Sequence, residues 1–140
     1  MTDVQPLLDQ LANTLRRSIA IDDPEGRLIA SSRHFGDEDG PRVNVVLTRD
    51  MDRRVHKYLH SFGIRTATGR IMIPENRELG LRARCCYPLR WQGKLGGFLW
   101  LIGPDVNDGD VRPYVERIAG ILGQRPSPAG EHAERSRLAA

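Results

Sequence analysis

The sequence predicts an α+β domain: a five-stranded antiparallel sheet with helices on its faces, in the order α-β-β-α-α-β-β-β-α. Three observations carry this. Residues Arg82 to Ile102, RARCCYPLRWQGKLGGFLWLI, read as two long strands folded on a Gln92-Gly93 turn. The second arm (Leu95, Phe98, Leu99, Trp100, Leu101, Ile102) is so apolar that it must lie centrally and be covered by helices. Next comes a helix with a complete apolar face, Val111, Tyr114, Val115, Ile118, Ile121 and Leu122. Near the start, SIAID and RLIAS flank Asp23-Pro24-Glu25-Gly26, a Pro and Gly turn suited to a first hairpin.

The remaining elements follow in order. Val4, Leu7, Leu8, Leu11 and Leu15 recur at three- and four-residue steps and give a first helix from about Asp3 to Arg17. The first two strands are Ser18 to Asp22 and Arg27 to Ser32. His34 to Gly40 is polar and Gly/Asp-rich, a loop, after which Pro41 opens a short helix through Leu47. Met51, Val55, Tyr58, Leu59 and Phe62 predict a further helix, ended by Gly63 in a left-handed conformation. Ala67 to Ile73 reads as a short edge strand stopped by Pro74, and Glu75 to Leu81 returns the chain to the main hairpin. Asn107 and Asp108 are available to cap the last helix and Gly123 to stop it. The domain is expected to span residues 1–123. Residues 124–140, Pro-rich and then charged without apolar periodicity, are expected to form a disordered tail or linker.

Composition narrows the class. The chain has 140 residues, 39% hydrophobic and 28% charged, which suits one globular domain with a real core. No run approaches the roughly 20 apolar residues of a membrane span, and the N-terminus lacks a signal-peptide pattern, so a cytoplasmic protein without a membrane partner is expected. The net charge is +3, and the arginines are scattered among 18 acidic residues with no basic stripe interleaved with aromatics. Direct nucleic-acid binding by this chain is therefore not expected.

No residue set carries catalysis. Cys85 and Cys86 are adjacent in a strand, so one faces each side; they read as reduced, buried small hydrophobes. His56 and His60 have the i, i+4 spacing of a helical metal pair, with His34 in a nearby loop, but the bland reading is a solvated helix edge, and neither metal nor cofactor is expected. Arg82, Arg84, Cys86 and Arg90 share one strand face; the arginines there are either wet or paired with acids such as Asp37, Glu38 or Glu75, or they form an anion-recognising rim. Trp100 belongs to the core, where its indole N–H needs a partner.

This order of elements is that of GAF and PAS sensory domains. Three strings sharpen it: IAIDDPEGRLIASS, with its Asp22-Asp23-Pro24; GIRTATGRIMIPENRELGLRARCCYPLRWQGKLGGFLWLI, with Gly63-Ile64, Ile73-Pro74, Glu78-Leu79-Gly80 and Gly97; and the closing helix. Over about residues 5 to 122 they resemble the N-terminal GAF/PAS-like sensor region of PucR/CdaR-type transcriptional regulators of actinobacteria. The resemblance implies a non-enzymatic regulatory domain preceding a helix-turn-helix region that these residues do not contain.

The expected function is to bind an unknown small molecule or a partner surface and bias an output region. The interposed segment from His34 to Gly80 should lid the sensing site, with Arg42, Arg65, Thr66, Thr68, Arg84, Cys86 and Trp100 as its lining: arginines and threonines to orient an anionic or carbonyl-bearing metabolite, and Trp100 as an apolar wall. The stripe Val4, Leu8, Leu11 and Leu15 is expected to pair terminal helices in a homodimer. The alternatives are a ligand-free dimerisation module and a cofactor-bearing or reductase GAF domain.

Overall fold

A computed structural model describes residues 3–103 and 105–125 of the chain. Its organising element is the long hairpin, β4 (Arg84–Trp91) and β5 (Lys94–Ile102). Gln92 and Gly93 both take positive φ, 53° and 78°, the pair of left-handed residues that a two-residue hairpin turn requires. β5 lies at the centre, as its apolar run demanded. On its other edge it pairs with β1 (Ile19–Asp22), which pairs in turn with β2 (Leu28–Ser31), while β3 (Ile71–Ile73) adds to the outer edge of β4. All pairings are antiparallel, in the order β2-β1-β5-β4-β3.

The period of two then sorts side chains to two layers. Ile19, Ile21, Cys85, Tyr87, Leu89, Leu99 and Leu101 point to one face, covered by α1 (Gln5–Leu15) and α4 (Asp108–Gly123). Cys86, Phe98 and Trp100 point to the other, beneath α3 (Arg53–His60), with Ala20 beneath α2 (Gly40–Thr48). The two cysteines divide between the faces, as neighbours on a strand must, and both are free thiols.

Three expectations need correction. The stripe Val4, Leu8 and Leu11 offers no free surface: these residues are at most 1% exposed, and Leu15 packs beside them on the chain's own core. The reason is coverage. α4 packs on β4 and β5, and α1, set beside it, reaches over β2. The third strand is short, three residues rather than the expected seven, because residues 64–69 turn and bend before it. Gly63 does adopt positive φ (74°), but α3 has already ended at His60. Gly123 ends α4, as expected, and it is small because a Cβ there would lie 2.6 Å from the Cβ of Trp91. Asn107 caps α4 as expected, accepting from the Gly109 N–H at 2.9 Å. The expected tail lies, from residue 126 on, outside the described residues.

Candidate functional site

Between the sheet and the α2–α3 layer the described structure holds a buried cluster of charge. It begins with Asp22, at the end of β1, facing the same side as Ala20 and 2% exposed. Across the strand pair, the Trp100 Nε1–H donates to its Oδ1 at 2.8 Å, which gives the buried indole the partner it needs. Burial in apolar surroundings pushes the Asp22 carboxyl up to about 8, against the Trp100 hydrogen bond, which favours the ionised form.

Arg42 comes from the first turn of α2. Its guanidinium donates from Nη1 to the Ser18 carbonyl at 3.2 Å and from Nη2 to the Trp100 carbonyl at 3.1 Å. Burial brings its pKa down to about 10, and the neighbouring Arg84 acts in the same direction. Arg84, at the start of β4, forms an ion pair with Asp39, each side chain 4% exposed. The same Asp39 holds more: its Oδ1 accepts the Arg42 N–H at 3.0 Å and caps α2, and its Oδ2 accepts the Arg82 N–H at 2.8 Å. A buried ion pair is tolerable when its carboxylate is saturated in this way.

These groups surround a cavity of about 20 Å³, walled by Asp22, Arg42, Arg84 and Trp100 and closed by Val45, Met51, Val55 and Leu59. That volume admits one particle of about the size of a water molecule. A metabolite site of roughly 300 Å³ or more would require the α2–α3 layer to move outward.

The expected lining residues divide into two groups. Arg42, Arg84 and Trp100 converge on the cavity. Cys86 adjoins it, opposite Trp100 in register and in the same apolar cluster, with its thiol pKa raised well above the ordinary value by burial. Arg65, Thr66 and Thr68 stand apart and exposed: Arg65 Nη1 donates to the Pro24 carbonyl at 2.7 Å, and the Thr66 hydroxyl to the Gly63 carbonyl at 3.2 Å. The partner expected for Arg84 is corrected as well, from Asp37, Glu38 or Glu75 to Asp39. Arg82 is exposed, and its Nη1 donates to the Asp37 carbonyl.

Sequence reasoning did not select Asp22 or Asp39 for the site, though each left a signal. Asp22 is a carboxylate at a period-two position of an otherwise apolar strand, and Asp39 precedes Gly40-Pro41 at a helix start.

The histidines are not a wet helix edge. His56 and His60 stack with ring centroids 3.9 Å apart, and His60 meets Phe98 edge-on. His56 Nε2 and both His60 nitrogens are buried without a hydrogen-bond partner among the described residues. Burial lowers the His60 pKa to about 4, with His56 and Arg65 adding to it. His34 is engaged elsewhere, with Glu38 at 2.9 Å, and among the described residues no three His, Cys, Asp or Glu side chains are grouped to hold a metal. On the opposite layer an open groove of about 630 Å³ runs along Pro6, Leu7, Trp91 and Ile121. No helix among the described residues is long and apolar enough to cross a membrane.

The architecture can be compared with solved structures. The GAF domain/HD domain protein from Geobacter sulfurreducens superposes with a TM-score of 0.55 at 18% identity, covering 88% of this chain and 94% of that one. The fold is GAF-like. No family model matches the chain, and no curated protein matches it.

Proposed function

We propose that this GAF-like chain is a non-enzymatic sensory domain of a PucR/CdaR-type transcriptional regulator, binding a small anionic or carbonyl-bearing molecule and biasing an output region. The observation that supports the reading is the polar cluster Asp22, Arg42, Arg84 and Trp100 around one cavity. Buried charge of this kind costs free energy in a domain core, so its placement under a helical layer points to a ligand rather than to stability. Arg42 and Arg84 supply donors for a carboxylate or carbonyl, and the indole of Trp100 supplies an apolar wall.

The test is a thermal-shift screen of carboxylates, purine-catabolism intermediates and sugar acids on the full chain, repeated on Arg42→Gln and Trp100→Phe. A ligand should raise Tm in proportion to the logarithm of its excess over Kd, by about 2.7 kcal/mol of stabilisation at a hundredfold excess. Arg65→Ala, altered at an exposed site, should keep the response. If no compound shifts the wild type, or if Arg42→Gln responds like the wild type, the cluster is not the sensing site.

A ligand-free dimerisation module is the second reading, favoured by the small size of the cavity and by the open groove beside Leu7, Trp91 and Ile121. Light scattering that shows a dimer, together with a screen in which nothing binds, would replace the first reading by the second.

A further inference from the structure

Arg42 is the buried arginine of the cluster that lacks an ion pair among the described residues. Arg84 and Asp39 form an ion pair, and Asp22 receives the Trp100 N–H. Arg42, 5% exposed, reaches only two peptide carbonyls and forms no ion pair among the described residues. A buried guanidinium with no directly paired carboxylate is costly in a protein interior, and this one lies directly on the cavity wall.

The cavity has the right contents for one small counter-ion. Its volume, about 20 Å³, suits a single atom-sized guest. Two arginines and an indole line one side, and Val45, Val55 and Leu59 close the other with apolar surface, which favours a weakly hydrated monovalent anion over a strongly hydrated polyvalent one. We propose that the Arg42 cavity is a binding site for a halide-sized monoanion held between Arg42 and Arg84 beneath the α2–α3 layer. The inference rests on the reading of this cluster as the sensing site and names the smallest member of its ligand class. The neighbouring carboxyl does not oppose it. Burial raises the Asp22 carboxyl to about 8 and so favours its neutral form at pH 7, and the carboxylates that act on Arg42, namely Asp39, Asp37 and Glu38, are not on the cavity wall.

The experiment uses chloride and bromide as probes on the full chain. Tm is recorded against chloride at constant ionic strength, with methanesulfonate, too large for the cavity, as the balancing anion. Crystals grown in bromide are then examined for anomalous scattering. The expected result is a saturable rise in Tm with chloride and an anomalous peak within contact distance of the Arg42 guanidinium. Arg42→Gln should abolish both. Because that variant also loses two buried hydrogen bonds and its fold is at risk, Val45→Ile provides the second arm: one added methylene fills the cavity and leaves Arg42 in place, and the chloride response should disappear from a folded protein. Equal Tm in chloride and methanesulfonate, a response kept by Val45→Ile, or a cavity holding only water would each overturn the proposal. Failure of the halide arm with a positive metabolite screen removes this inference and leaves the sensing site standing; failure of both removes both.

Discussion

Replacing Asp22 by asparagine tests the electrostatics of the cluster most directly. The native carboxyl titrates near 8 because ionising it costs desolvation free energy, whereas in the unfolded chain it titrates near 3.8. A group that binds its proton more tightly in the native state makes stability fall as pH rises between the two values. The interval from 3.8 to about 8, at about 1.4 kcal/mol per pH unit, bounds the effect at about 6 kcal/mol, and relaxation around the charge reduces it to several. Asparagine keeps the shape and an acceptor for the Trp100 N–H but cannot ionise. Urea unfolding followed by tryptophan fluorescence, in chloride-free buffer from pH 4 to 9, should therefore give nearly equal stabilities for Asp22→Asn and wild type at pH 4. The variant should become progressively the more stable, by several kcal/mol at pH 9. Parallel curves, or a variant less stable at pH 9, would refute the reasoning and show that Asp22 is ionised in the native state and paired with Arg42.

Three further outcomes are expected. Gly97→Ala should unfold the domain or cost at least 3 kcal/mol by the order of magnitude of core steric clashes (roughly 1–3, or more), since its Cβ would lie 2.2 Å from the Asp22 carbonyl oxygen across the β1–β5 pair; a cooperative melt near that of the wild type would contradict it. Asp39→Ala should cost about 3–5 kcal/mol, because it leaves Arg84 buried without its counter-charge and α2 without its cap, while Arg84→Met with Asp39→Asn should lie much closer to wild type; denaturant midpoints decide between them. His60→Leu should flatten the acid limb of the stability curve: the His60 imidazole is neutral in the native stack, with a pKa near 4 against 6.5 unfolded, so wild-type stability is lost as pH falls through that window and the variant's is retained.

Much of the architecture was written in local patterns. The apolar run of β5 could only be satisfied at the centre of a sheet, the Gln92-Gly93 pair admits one kind of turn, and the Cys85-Cys86 dipeptide must straddle two layers. The site was harder to read, because it is made by contacts between distant positions: Asp22 and Trp100 are 78 residues apart, and Asp39 and Arg84 are 45 apart. Periodicity placed Arg84 and Cys86 on one face but could not say that residues 65–68 turn outward instead of lining the cavity beside it. The stripe on α1 looked like an interface because no local signal tells how far α4 extends over the sheet. The three-dimensional layout showed that the strands α4 leaves open need a second helix.

Asp39 is the place where layer and sheet are tied by one carboxylate. Its two oxygens hold the start of α2, the backbone at Arg82 and the head group of Arg84 at once, so the helix cannot lift without giving up the charge pair and the Arg82 N–H together. Layer and sheet are riveted there at a single point, and loss of that one carboxylate would loosen all three attachments.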